Sequence, residues 1–347
     1  LDLTFVATGG GDLEQQFAES GVDYVRLQRK LPVDLQLVLK LRRIIKDRGV
    51  QVVHAQQAVE AIHLWLATRG TSVKCVLSLQ NYILDKKNRV ATTLIVPRMH
   101  ALVPVSMGMR SWFQNHEGFT ITDKYHVVYN AVDSKRLGPT RLPDAPTLRE
   151  ELGLDDKHFL LGMVGNFYPD ARKDQWTVCR ALPQVMTRFA DAHFVFVGAV
   201  HGGAHSYHKR CVDYCREHGI AERVHFVGKR SDIPDLLREL DLFVFSSLQE
   251  GLPVAVIEAL LLAVPTIVSD IPPLLEVVGA DTVEGPCAEI FQTGDPQDLT
   301  MKLTHLLENP EERRVLGDRA QRRASARFGI EGHLRSLSKL YKSLLST

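Results

Sequence analysis

Ser246-Ser247-Leu248-Gln249-Glu250-Gly251-Leu252-Pro253-Val254-Ala255-Val256-Ile257-Glu258-Ala259-Leu260 decides how this chain is read. The run before it, Asp241 to Phe245, is short, apolar and rich in aromatic and β-branched residues, which predicts a buried strand. After it, Pro253 suits the first position of a helix, and the apolar positions that follow suit a buried one. Strand, tight glycine loop and helix start together present outward-pointing backbone amides, a natural site for an anion. Glu250 stands at the mouth of that site, and Glu258 lies further along the helix. Amides that hold phosphates, beside carboxylates that accept hydrogen bonds from vicinal hydroxyls, match a phosphate diester decorated with sugar hydroxyls. A bare phosphate or a nucleic-acid backbone would be repelled by the same glutamates. The plainer alternative, a solvated Glu250 and a surface Glu258 on an ordinary helix, stays open at this point.

The remaining composition narrows the class. A chain of 347 residues has room for two α/β domains with separate cores. A formal charge of +1 gives no general case for nucleic-acid binding. Five scattered cysteines, an odd number, fit a reducing compartment better than a disulfide scaffold. No apolar run is long enough to span a bilayer and no signal peptide is visible, so a cytoplasmic setting is expected, with peripheral contact to a membrane surface as a further expectation. Arg42, Arg43, Lys46 and Arg48 would face that membrane, although the solvated basic face of a crossover helix is the preferred reading of them.

The Glu-x7-Glu pair within a Gly-Leu-Pro loop, followed by Pro265-Thr266-Ile267-Val268-Ser269-Asp270, resembles the donor-site signature of retaining glycosyltransferases of the family-4 type. The resemblance extends over nearly the whole chain. It implies the α/β GT-B fold, two Rossmann-like doubly wound domains facing across a cleft. The boundaries it suggests are an acceptor-side domain over 1–137, a linker over 138–156, a donor domain over 157–327, and a returning C-terminal helix over 328–347. In that family the strands at Leu1–Thr8 and Val22–Leu27 and the helix at Asp12–Ser20 form the second βαβ unit, so the chain reads as a piece lacking its N-terminal edge.

Several positions depart from the family's pattern. Gln80 stands where many members carry His, leaving a positioning role in the first-domain cleft beside Ser106 at the end of the next strand. Asn166 replaces an Arg after Gly165, while Lys173-Asp174-Gln175 matches the common form at the start of a helix. The resemblance therefore gives Lys173 a phosphate role, with Arg172 substituting for the lost cation and Glu250 holding sugar hydroxyls. Gly165, Asn166, Gly251, Leu252, Pro253 and Val254 would line the donor, Glu258 would hold the ribose, and Lys229 and Arg230 would sit in the loop against the nucleobase. Glu276 follows Pro272-Pro273, where the family commonly has Gly-Gly.

Other chemistries fare worse. His208, Cys211, Cys215 and His218 carry metal-ligand types, but ligands strung along one helix span about 15 Å and cannot close a tetrahedron, so the cysteines read as core residues. Neither Gly165-Asn166-Phe167 nor Gly9-Gly10-Gly11-Asp12 supplies a dehydrogenase's Gly-x-Gly-x-x-Gly. No Asp-x-Asp motif is evident, so the expected transfer is metal-independent and uses no cofactor. The expected partners are a nucleotide-sugar donor, most commonly UDP-linked, and a saccharide or lipid-linked hydroxyl acceptor of envelope polysaccharide, lipopolysaccharide or glycolipid assembly. A catalytically weak sugar-nucleotide-binding subunit, or another GT-B enzyme such as an epimerase, remains an alternative.

Overall fold

The structure is a computed structural model that describes residues 2–10, 14–19, 21–82, 86–116, 123–141 and 144–346. Parts of several expectations lie outside the described residues: position 1 of the first strand, the glycine turn at Gly11, both ends of the helix at 12–20, positions 142 and 143 of the linker, and position 347 of the last helix. The chain forms two compact units, Leu1–Val128 with Leu334–Thr347, and Tyr129–His333.

Among the described residues the first unit carries five strands: β1 (Thr4–Ala7), β2 (Asp23–Arg26), β3 (Val52–Ala55), β4 (Lys74–Leu79) and β5 (Ala101–Pro104). They form a parallel pair, β1-β2, and a parallel three-stranded sheet, β3-β4-β5. The helix at Leu35–Asp47 shows why the sequence folds this way. Asp34 caps it by accepting hydrogen bonds from the Gln36 and Leu37 amides at 3.0 and 3.1 Å. Its buried stripe is Leu37, Val38, Leu41 and Ile45, the helical spacing of one face. Burying each such side chain contributes about 1.5–3 kcal/mol. Two of its basic residues are structural: Arg42 donates to the Ala67 and Arg69 carbonyls, and Arg48 binds Thr4 and Asp23.

Two segments of this unit differ from expectation. Tyr125 to Tyr129, whose aromatic and β-branched residues suit a closing strand, makes one isolated bridge to Leu102, with backbone bonds at 2.8–3.1 Å along β5 but no regular strand. Lys86–Ile95 is a helix that the sequence reading passed over. The last helix, Ile330–Leu345, adds Leu337, Leu340, Tyr341 and Leu344 to a cluster with Val76, Ala101, Val103 and Val128. Leu334, expected on that face, is exposed instead.

The second unit holds β6 (Phe159–Val164), β7 (Ala192–Val197), β8 (Val224–Gly228), β9 (Leu242–Phe245), β10 (Thr266–Ser269) and β11 (Glu289–Phe291). These strands are parallel and ordered β11-β10-β9-β6-β7-β8. Near-continuous apolar runs such as Leu242–Phe245 are what a sheet covered on both faces requires. The helix at Gln175–Arg188 packs with those at His205–Glu217 and Pro296–Glu308, and Val254–Leu261 packs with Pro310–Arg327. The chain winds outward from β6 through β7 and β8, then returns to lay β9 on the other flank of β6. Both units are thus Rossmann-like, and the reversal at β6 and β9 opens the crevice where such sheets bind ligands.

Candidate functional site

Two loops leave the sheet at that reversal, one over 165–174 after β6 and one over 246–253 after β9. Backbone bonds stitch them together. Lys173 and Ser247 form an antiparallel bridge, the Leu248 amide donates to the Arg172 carbonyl at 2.8 Å, and the Asp174 amide donates to the Ser246 carbonyl at 3.1 Å. This pairing brings the Lys173 ammonium onto Glu250 Oε1, an ion pair that also lies over the Phe245 ring, 4.5 Å from its centroid. Ser247 Oγ lies 2.7 Å from the same carboxylate oxygen. The two side chains are only 16% and 11% exposed, so water screens their charges less than it would at the surface.

Groups that the sequence reading did not single out hold this pair in place. Asp174 caps the helix at Gln175–Arg188 by accepting from the Thr177 amide at 3.1 Å, and it also meets Ser246 Oγ at 3.2 Å. Gln175 is fully buried and its Nε2 donates to the Gly165 and Asn166 carbonyls at 3.1 and 3.3 Å. The Ser247 amide donates to Ser269 Oγ at 3.0 Å, and that hydroxyl returns a bond to the Ser247 carbonyl at 2.8 Å. Gly198 closes the arrangement: a Cβ there would stand 2.4 Å from the Gly165 carbonyl oxygen, so only glycine lets the ends of β6 and β7 approach this closely. The consecutive serines at 246 and 247, the Lys173-Asp174-Gln175 run and Ser269 were the sequence signals for this lattice.

The helix after the second loop runs over Val254–Leu261, with Pro253 as its N-cap rather than its first residue. Pro253 makes no side-chain cap bond, so no capping side chain competes for the first-turn amides. Glu258 lies about 6 Å along the axis from Val254. It is mostly shielded from water, and burial pushes its carboxyl above the usual 4.5. Among the described residues its carboxylate has no hydrogen-bond or ion-pair partner. A fully exposed position would not show the raised pKa. The site thus offers one ammonium and a helix start to an anion, and two carboxylates to hydroxyls.

The remaining expected residues divide. Gly165 lies under the Lys173 side chain, its absent Cβ 3.6 Å from Lys173 Cδ. Gly251 and Leu252 are buried, and the Leu252 carbonyl accepts from Asn130 Nδ2 at 3.4 Å. Arg172 turns to Asp170, with an ion pair at 2.7 Å and its guanidinium 4.9 Å from the Tyr168 ring, so it does not join Lys173. Asn166 spends Oδ1 on the Ala199 amide at 2.8 Å. Arg230 is held by Asp232 and Glu151 through four bonds of 2.6–2.9 Å, which uses most of its five donors. Lys229 is exposed beyond β8. Glu276 accepts from the Tyr129 hydroxyl at 2.6 Å. In the first unit, Ser106 is buried and accepts from the Met109 amide at 3.0 Å, at the start of the helix over Met107–His116, and Gln80 bonds Gln56 at the end of β4. Cys211 and Cys215 are buried in the second unit's core with Cys179, while His208 packs against Phe167 and Phe226, and His218 against Tyr214.

The fold is that of a GT-B protein, and its Rossmann-like second unit places Lys173, Glu250 and the start of the helix at Val254–Leu261 at its switch point. The chain belongs to the family described as glycosyl transferases group 1, which matches residues 144–323, and residues 2–136 match glycosyltransferase family 4. It is 25% identical over 249 residues to an Escherichia coli UDP-Gal:alpha-D-GlcNAc-diphosphoundecaprenol alpha-1,3-galactosyltransferase, a match covering 69% of this chain and 62% of that protein. The N-acetyl-alpha-D-glucosaminyl L-malate synthase of Bacillus anthracis is 23% identical over 343 residues, 95% of this chain and 84% of its own length. Anabaena Alr3699/HepE, solved in complex with UDP and glucose, superimposes with a TM-score of 0.81 at 21% identity, covering 99% of this chain and 92% of that one. Among the described residues no helix is long and apolar enough to cross a membrane.

Proposed function

We propose that the chain transfers a sugar from a nucleotide-diphosphate donor, UDP-linked in the first instance, to a hydroxyl acceptor with retention at the anomeric carbon. The observation that carries this reading is the Lys173–Glu250 pair beside an uncapped helix start at the β6–β9 switch point. Cleaving the glycosyl–phosphate bond leaves negative charge on the β-phosphate, which Lys173 and the first amides of the helix stabilise. No metal is required for that task. Glu250 holds sugar hydroxyls next to the phosphates and Glu258 the ribose. With no side chain assigned as covalent nucleophile, the acceptor oxygen bonds to the anomeric carbon on the face that the phosphate leaves. The acceptor's proton passes to the departing phosphate oxygen.

The names of the relatives support a saccharide or lipid-linked acceptor in envelope glycan assembly, at the cytoplasmic face of a membrane. The helix at Leu35–Asp47 supports membrane contact, since Leu35 and Leu39 are 68% and 66% exposed next to Lys40, Arg43 and Lys46. Co-sedimentation with anionic vesicles tests that contact. A panel of nucleotide sugars, read by mass spectrometry of the released nucleotide, tests the reaction. Engagement of Arg172 and Asn166 within their own loop favours one second reading, a sugar-nucleotide-binding subunit. Calorimetric binding without nucleotide release across the panel would select it.

A further inference from the structure

We propose that Glu250 occupies the ligand's place on Lys173 until a nucleoside diphosphate displaces it, so that Glu250 becomes a hydroxyl acceptor only once the diphosphate is bound. This rests on the donor-site reading above and adds an order of events to it. Among the described residues, Lys173 is the cation paired with this carboxylate: Arg172 is committed to Asp170, and Arg230 to Asp232 and Glu151. Carboxylate and phosphate are both anions, and the ammonium is largely buried, so the two compete for it directly.

The surroundings are built so that the displacement strands nothing. Ser247 Oγ has a single proton and faces three acceptors: Glu250 Oε1 at 2.7 Å, the Arg172 carbonyl at 2.8 Å and the Gln249 carbonyl at 3.3 Å. When Glu250 swings away, the hydroxyl turns to Arg172 and remains satisfied. The Ser247 backbone is held independently by Ser269, so the loop keeps its shape while the carboxylate moves. Lys173 stays over the Phe245 ring and exchanges one anion for another. Glu250, no longer neutralised, then meets the sugar hydroxyls that arrive with the diphosphate.

The inference fixes the sign of an otherwise ambiguous effect. Removing a ligand-contacting residue normally weakens binding, whereas removing a resident competitor strengthens it. Titrating the wild type, Glu250→Gln and Glu250→Ala with UDP by calorimetry, with far-UV circular dichroism to establish folding, tests it. Both variants are expected to bind UDP about tenfold more tightly than the wild type, while turnover of the UDP-sugar falls. Equal or weaker UDP binding by the folded variants overturns the inference and leaves the donor site standing. If none of the three proteins binds UDP or any other nucleoside diphosphate, the donor-site reading fails and takes the inference with it.

Discussion

Two charged clusters sit beyond the ends of strands in the same sheet, and they differ in how their cations are used. After β6 and β9, Lys173 faces one carboxylate, and among the described residues that carboxylate's other hydrogen-bond partner is a serine hydroxyl. After β8, Arg230 binds Asp232 and Glu151, Asp232 also binds Arg141, and Arg141 binds Glu239, whose carboxylate further accepts the Leu148 and Arg149 amides. The first cluster can exchange a partner without leaving a buried charge alone. The second cannot, because Arg230, Asp232, Arg141 and Glu239 each hold at least two other groups. Residue type makes Lys173 and Arg230 look alike, and partner density separates a ligand site from a structural clasp.

Substituting each cation breaks the comparison apart. Lys173→Ala should lower turnover by 100-fold or more, about 3 kcal/mol of transition-state stabilisation, with little change in melting temperature. Arg230→Ala should do the reverse, destabilising the fold by about 2 kcal/mol in urea while UDP affinity holds. The second cluster also has an acid signature. The Arg230 guanidinium holds the Asp232 and Glu151 carboxyls below their ordinary values of 3.8 and 4.5. Depressed carboxyls stabilise the fold above those values and lose the contribution as pH falls beneath them. The wild type should therefore lose more stability than Arg230→Ala between pH 5 and 3 (about those bounds), and parallel curves would contradict the clasp.

What could be read from the sequence follows the same line between local and distant partners. The strand–loop–helix over 241–261 and its two glutamates are set by short-range periodicity, and the structure keeps them within a residue or two. The Arg172–Asp170 pair and the Met109 amide's bond to Ser106 lie two and three residues apart, so both were accessible to local reasoning. Arg230 and Glu151 are 79 residues apart, and Asn166 and Ala199 are 33 apart, so only the folded sheet reveals what those side chains do. Tyr125–Tyr129 misleads for a different reason: its apolar residues suit a strand, but it meets β5 through one isolated bridge and builds no regular ladder. The helix over Lys86–Ile95 follows Asp85 in the sequence, a residue type that suits a helix start, so that signal was legible and was passed over.

Glu258 sharpens the contrast at smaller scale, since it is a half-buried carboxylate with, among the described residues, neither an exchangeable partner nor a clasp. Burial raises its folded pKa above the ordinary 4.5, so the native state binds the proton more tightly than the unfolded chain does. Stability then falls as pH rises from 4.5 through the folded value, the opposite sign to Asp232. Glu258→Gln should be more stable than wild type at neutral pH by about 1 kcal/mol, with the difference vanishing under acid conditions. The same variant should bind UDP more weakly. Stabilisation with unchanged affinity would remove Glu258 from the ribose and leave it a core residue.

Arg172 gives the smallest effect and the closest test of the dividing line. It lies next to Lys173 in sequence, yet Ala171 adopts a left-handed φ of 51° and the chain turns the guanidinium back onto Asp170 and Tyr168. Arg172 and Asp170 are 39% and 40% exposed, so their pair resembles surface ion pairs worth about 1 kcal/mol or less. Arg172→Ala should therefore change UDP affinity by less than about threefold and leave the melting temperature nearly unchanged. A loss as large as that of Lys173→Ala would mean that the guanidinium leaves Asp170 when the diphosphate arrives. The first cluster would then contain two exchangeable cations, and the resting partners of a charged group would no longer suffice to tell a ligand site from a clasp.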